Sequence, residues 1–151
     1  MPIRYFIDLK LSLVLYICED KVTGDDFLAA VARAAREPKR NKDLMNSIID
    51  MTNARGNIDL EDVRQAVNFI SEKINDWGFP PKAAIFTKST GIILLANALN
   101  VISGGEVELQ SFNCVGAIAD WLEFGDQKEE LVSFWIDARR SLLLDTNLVT
   151  I

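Results

Sequence analysis

The chain has 151 residues, of which 49% are apolar and 25% charged, and carries a net charge of -6. That length and balance fit one domain with a single core, not a disordered chain, and the acidic surplus argues against nucleic-acid binding, which needs a concentrated basic surface. Histidine is absent, which removes Ser-His-Asp and Cys-His catalysis and most zinc sites, so neither a metal nor a cofactor is expected.

Arg4 to Leu9 and Leu11 to Cys18 are rich in β-branched, aromatic and leucine residues with a break between them. They read as an antiparallel hairpin whose first strand lies at a sheet edge. Thr23 before Gly24, Asp25 and Asp26 gives a hydroxyl N-cap with acids in the first turn. The helix that follows places Phe27, Leu28, Val31 and Ala35 on one face and ends before Pro38. The basic cluster Arg33, Arg36, Lys39, Arg40 and Lys42 complements the end of that helix and solvates the connection from Glu37 to Asn46.

Ser47 to Met51 reads as a short buried strand, followed by a polar loop with Thr52, Asn53, Arg55, Gly56 and Asn57. Asp59 caps an amphipathic helix with Leu60, Val63, Val67, Ile70 and Ile74 at helical spacing. It stops near Trp77-Gly78, and Pro80-Pro81 enforces an extended approach to the next strand, Lys82 to Thr87. The helix from Ser89 to Ile102 is apolar on two sides. Ile92, Leu95, Ala96, Leu99 and Ile102 form one stripe; Leu94, Ala98 and Val101 form a second, which needs a cover from the C-terminal segment or a second subunit. Gly104-Gly105 turns into Glu106 to Phe112, an alternating, half-buried strand.

Asn113 is the expected cap of a helix with Val115, Ile118, Trp121 and Leu122 inward. After Phe124-Gly125 a separate amphipathic pattern, Leu131, Trp135, Ala138 and Leu142, forms a helical extension. Its apolar end, Leu142 to Leu144 and Leu148 to Ile151, is expected to dock on its own chain or on a partner. Leu94, Ala98, Val101, Leu131 and Trp135 are the expected interface residues.

The expected architecture is α/β: a roughly five-stranded, mixed and mainly parallel sheet with an N-terminal antiparallel hairpin and flanking helices. It occupies residues 1–124, with the extension at 125–151. Open sheets of this kind bind ligands at the carboxyl ends of their strands. There Asp50, Thr52, Asn53 and Arg55 could meet a polar ligand, or Asp50 and Arg55 could pair with each other and Asp50 and Thr52 satisfy loop amides. Lys88, Ser89 and Thr90 occupy the analogous place one strand along and suit an anion, or simple capping of the helix they precede. If the two loops are adjacent, they form one anion-friendly rim. The carboxylate pairs at Asp25-Asp26, Glu61-Asp62 and Glu129-Glu130 fall at helix starts, where acids are favoured electrostatically, and Trp77, Trp121 and Trp135 have the spacing of core or interface aromatics.

Four segments together carry a resemblance: the entry Tyr16 to Asp25 (YICEDKVTGD), the strand Ile48 to Met51 (IIDM), the strand Lys82 to Phe86 (KAAIF) and the closing Ala117 to Leu122 (AIADWL). Over residues 3–124 the chain resembles the SpoIIAA-like family, related to STAS domains and grouped with Sec14-type lipid-binding folds. The resemblance implies a non-enzymatic bacterial regulatory or ligand-sensing module, a relative of anti-sigma factor antagonists. The chain departs from those antagonists in one place. Their phosphorylatable serine lies at the start of the helix after the central strand, where this chain has Gly56-Asn57-Ile58-Asp59-Leu60 and no hydroxyl, so the resemblance carries no phosphorylation switch to that point.

The resulting expectation is a regulatory module that binds a protein partner or itself, as a homodimer. The alternative is a Sec14-like carrier or sensor of a hydrophobic or anionic small molecule. Two cysteines in non-framework positions, no leader pattern and no membrane span point to a cytoplasmic setting.

Overall fold

The computed structural model describes residues 3–36, 45–55, 82–102 and 108–150, together with Glu61, Gln65 and Asn68. Five strands form one sheet in the order β1 (Ile3–Asp8), β2 (Leu13–Lys21), β3 (Asn46–Arg55), β4 (Lys82–Phe86), β5 (Glu108–Phe112). β1 pairs antiparallel with β2, and the remaining pairings are parallel. The hairpin turn at Leu9 to Ser12 is closed by the Asp8 carboxylate, which accepts from the Leu11 amide at 3.0 Å.

Among the described residues four helices can be delimited beside the sheet: α1 (Gly24–Ala35), α2 (Thr90–Ile102), α3 (Val115–Trp121) and α4 (Lys128–Thr150). At the start of α1 the Thr23 hydroxyl accepts from the Asp26 amide at 3.2 Å, and the Asp26 carboxylate accepts from the Thr23 amide at 3.0 Å. This is a reciprocal capping box. Thr23→Ala is expected to destabilise the protein by about 1 kcal/mol, measured as a lower urea midpoint at unchanged m-value.

Strand alternation divides the apolar residues into two cores. On one face Val14, Tyr16 and Cys18 of β2, Ile49 and Met51 of β3 and Ile85 of β4 pack with Ala30 and Ala34 of α1 and Ala96 of α2. On the other, Leu13, Leu15, Ile17, Ile48 and Ala84 pack with Ile118 and Ala119 of α3 and Leu131, Trp135, Ala138 and Leu142 of α4. The strands follow one another in sequence order across the sheet, so right-handed crossovers through α1 and α2 fall on the same face. The opposite face is left bare by the crossovers. The chain after β5 supplies its cover.

That arrangement corrects the expected packing in two respects. Leu131 and Trp135, expected at an interface, are 0% and 4% exposed within the chain itself, because the C-terminal helix docks on its own sheet. The same docking puts α4 on the face opposite α2, so it does not cover the second stripe of α2. Leu94 on that stripe is 64% exposed; the side chains of Ala98 and Val101 lie outside what the structure describes.

β3 is also longer than expected. Thr52, Asn53 and Arg55 continue the strand because β2 runs on to pair Glu19 with Asn53 and Lys21 with Arg55. The pairing steps from Ile17–Asp50 to Glu19–Asn53, one residue more on β3, which is a β-bulge. A one-residue slip exchanges the faces: Ile48 packs in the α4-side core, whereas Ala54 packs against the α1-side one.

Of the predicted helix after Asp59, Glu61, Gln65 and Asn68 are helical and exposed; its apolar residues, and Trp77, lie outside the described residues. Cys114, not Asn113, occupies the N-cap of α3 and makes no side-chain cap bond.

Candidate functional site

Asp50 is the residue around which the polar chemistry gathers. It lies in β3 between Ile49 and Met51, and alternation turns its side chain toward the α4 face. Only 1% of it is exposed, so its carboxylate has to be satisfied by protein groups. Oδ1 accepts from the Thr52 amide at 3.1 Å and the Thr52 hydroxyl at 2.7 Å. Oδ2 accepts from Trp135 Nε1 at 2.7 Å and Arg139 Nε at 2.9 Å, and also from Arg139 Nη2. Arg139 Nη2 donates as well to the Thr52 hydroxyl at 3.0 Å. Thr52 thus passes one hydrogen bond to Asp50 and receives one from Arg139.

Trp135 and Arg139 are four apart on α4 and therefore share a face. Phe86 and Trp135 form a T-shaped pair with centroids 5.2 Å apart, and the Arg139 guanidinium lies 5.9 Å from the Trp135 ring. The indole and guanidinium reach Asp50 side by side. Its partner is consequently Arg139, not Arg55 as one sequence reading had it, since Arg55 lies five residues further along β3 and is exposed.

The register sets the loops. Asp50 is level with Phe86, so Thr52 and Lys88 stand two residues beyond the same rung at the same end of neighbouring parallel strands. Arg55 lies about 10 Å further along β3. The expected single rim of Thr52, Asn53, Arg55, Lys88, Ser89 and Thr90 is thus one end of the sheet. The turn after β4 is itself satisfied: the Thr87 hydroxyl accepts from the Ser89 amide at 3.0 Å, and Ser89 Oγ accepts from the Ile92 amide at 3.4 Å, capping α2. Lys88, Ser89 and Thr90 are exposed.

At the opposite end, Lys82 Nζ donates to the Trp121 carbonyl at 3.0 Å and lies 5.2 Å from the Trp121 ring centroid, closing the C-terminus of α3. Lys10 pairs with Glu130 at 3.2 Å, and Lys128 pairs with Asp120. The first of these exposed pairs joins the start of α4 to the β1–β2 turn and the second joins it to α3, while Trp135 and Arg139 hold its middle at Asp50.

Arg139 and Trp135 were not among the expected functional residues with these roles. The signal was their four-residue spacing on a helix together with one carboxylate in an otherwise apolar strand.

Both cysteines are free. The Cys18 thiol is pushed up from 9.0 to about 12, first by burial and second by the negative charge of Asp50. Below pH 9 neither the folded nor the unfolded thiol is ionised, and this contribution to stability is fully present. From pH 9 to about 12 the unfolded chain releases the proton and the folded chain keeps it, so stability falls as pH rises. The expected slope is at most about 1.4 kcal/mol per pH unit. Urea melts at pH 8 and pH 10.5 should show a steeper loss in the natural chain than in Cys18→Ala, and a thiol reagent at pH 8 should titrate Cys114 alone until the protein is unfolded.

No protein-family model and no curated protein matches the chain. Among solved structures it is similar to an uncharacterised protein of the DUF3478 family with a SpoIIAA-like fold from Shewanella loihica PV-4, with a TM-score of 0.53 and 16% identity over 80% of this chain and 91% of that one. The fold is SpoIIAA-like. At that identity the likeness extends to the architecture alone, and the SpoIIAA-like sheet here carries an Asp50 node assembled from its own C-terminal helix. Among the described residues, no helix is long and apolar enough to cross a membrane.

Proposed function

We propose that this SpoIIAA-like chain is a non-enzymatic regulatory module of bacterial signalling, working in the cytoplasm by binding a protein partner or a second copy of itself. The observation that carries this reading is the saturation of Asp50. Both carboxylate oxygens are taken by Thr52, Trp135 and Arg139, so the acid best placed for proton transfer or ligand capture is occupied in holding α4. Apolar side chains, by contrast, stand in water at Leu94 of α2 and at Val132, Ile136, Leu143 and Leu144 of α4, and such exposure suits association.

A second reading has its own support. Arg139 keeps 41% of its side chain exposed beside Thr52, on the rim that also carries Asn53, Arg55, Lys88, Ser89 and Thr90, which favours an anionic small molecule as ligand. Two measurements separate the readings. Cross-linking of tagged full-length chain in cells of its source organism should recover the same protein from repeated preparations, and lose it on Leu94→Glu or Val132→Glu. Native mass spectrometry should then find the chain, as monomer or dimer, without a small-molecule adduct. A stoichiometric small-molecule adduct, lost on Lys88→Ala or Arg55→Ala, would overturn the first reading in favour of the second.

A further inference from the structure

Four of the six large apolar residues exposed among the described residues, Val132, Ile136, Leu143 and Leu144, lie on α4. With a turn of roughly 100° per residue, Val132, Ile136 and Leu143 fall within about 40° of each other. They form a stripe roughly 110° round the helix from the buried Leu131, Trp135, Ala138 and Leu142. The inward face is fully used by the sheet. The second stripe belongs to neither core.

The charges beside the stripe indicate what covers it. Glu129 and Arg140 border it on one side, both exposed, and neither makes an ion pair with a described residue. They stand 11 residues apart, about 16 Å along the axis, the acid toward the start of α4 and the base toward its later half. A helix with that polarity complements itself only when reversed. Two parallel copies would turn that flank against the opposite one, where Lys128 and Arg139 are already paired with Asp120 and Asp50, and would leave both free charges unanswered.

We infer that the outer face of α4 binds a second copy of this chain, with the two α4 helices antiparallel about a two-fold axis near Ile136. That axis lays Val132 of one copy between Ile136 and Leu143 of the other, and brings Glu129 within one helical turn of Arg140 on the second copy, twice by symmetry. The net charge of -6 disfavours an anionic lipid surface as the occupant. A contact of one helix pair is at the small end of specific interfaces, so the dimer is concentration-dependent. The inference rests on the reading of the chain as an interaction module and narrows its exposed apolar surface to one face and one occupant.

Sedimentation velocity of the full chain from about 1 µM to about 1 mM tests it. The expected result is a monomer–dimer equilibrium that Val132→Glu/Ile136→Glu weakens at least tenfold. Glu129→Arg should weaken it roughly fivefold to tenfold, as two surface pairs turn repulsive, and Glu129→Arg/Arg140→Glu should restore it. Circular dichroism and thermal melting confirm that each variant is folded; the two charge variants alter exposed positions and keep the test open if the apolar pair does not fold. A strict monomer at the highest concentration, a dimer indifferent to the apolar pair, or a charge swap without restoration would overturn the inference. A monomer that still captures a protein partner would overturn the dimer alone and leave the proposed function standing.

Discussion

Ending the chain at Gly125 is expected to abolish the folded state, not merely to trim it. The cut removes Leu131, Trp135 and Leu142, each 5% exposed or less, and uncovers Leu13, Leu15, Ile17, Ile48 and Ala84 on the sheet. Burial of a large apolar side chain contributes about 1.5–3 kcal/mol, so three of them contribute roughly 5–9 kcal/mol. Total domain stability is about 5–15 kcal/mol. The truncated chain should be recovered as aggregate, or as a soluble species that binds a hydrophobic dye and melts without cooperativity. A soluble fragment with a sharp thermal transition would show that the α4-side core is dispensable.

The second large effect is expected at Arg139. Arg139→Met keeps the methylenes against Trp135 but leaves the Asp50 carboxylate, 1% exposed, with Trp135 and Thr52 alone. Breaking a fully buried ion pair costs about 3–5 kcal/mol; with the Arg139 side chain 41% exposed, about 2–4 kcal/mol is the appropriate range. In a domain of this size that lowers Tm by roughly 5–15 °C. Asp50→Asn should cost less, about 1–3 kcal/mol, because the released guanidinium can turn to water. Once Asp50 is neutral the arginine has less to hold, so the double variant should be more stable than the two single effects predict by about 1–3 kcal/mol. Denaturant titration of the four proteins measures the coupling, and additivity within about 0.5 kcal/mol would deny the pair.

The strands and the capped starts of α1 and α2 were legible in the sequence because their signals are local. The β-branched, aromatic and leucine run at Leu13 to Cys18, the hydroxyl and acids at Thr23 to Asp26, and the short apolar run at Lys82 to Phe86 each decide their own conformation. The common rim of Thr52 and Lys88 followed from parallel strands with helical crossovers, which the register bears out. The partner of Asp50 was not legible. Arg55 was near in sequence, whereas Arg139 lies 89 residues away and becomes a neighbour only when α4 crosses the sheet. The place of α4 could have been found from topology. Strands laid down in order put their crossovers on one face, and the surplus of leucine and isoleucine on the other face then demands a cover from later in the chain. Offering the C-terminal segment as one of two possible covers for the exposed flank of α2 overlooked that the two helices belong to opposite faces. The extra length of β3 came from a bulge, for which the sequence Thr52-Asn53-Ala54-Arg55 carries no distinctive mark.

The central physical claim is that α4 is a full member of the fold, anchored at its midpoint by the Asp50 carboxylate. Native-state hydrogen exchange of the Trp135 indole N–H, assigned by its loss in Trp135→Phe, reads that anchor directly. Donating at 2.7 Å to a buried oxygen, this proton should exchange only as slowly as the protein unfolds globally. Exchange within seconds, while the amides of β2 and β3 stay protected, would show a helix resting loosely on the sheet and would contradict the account.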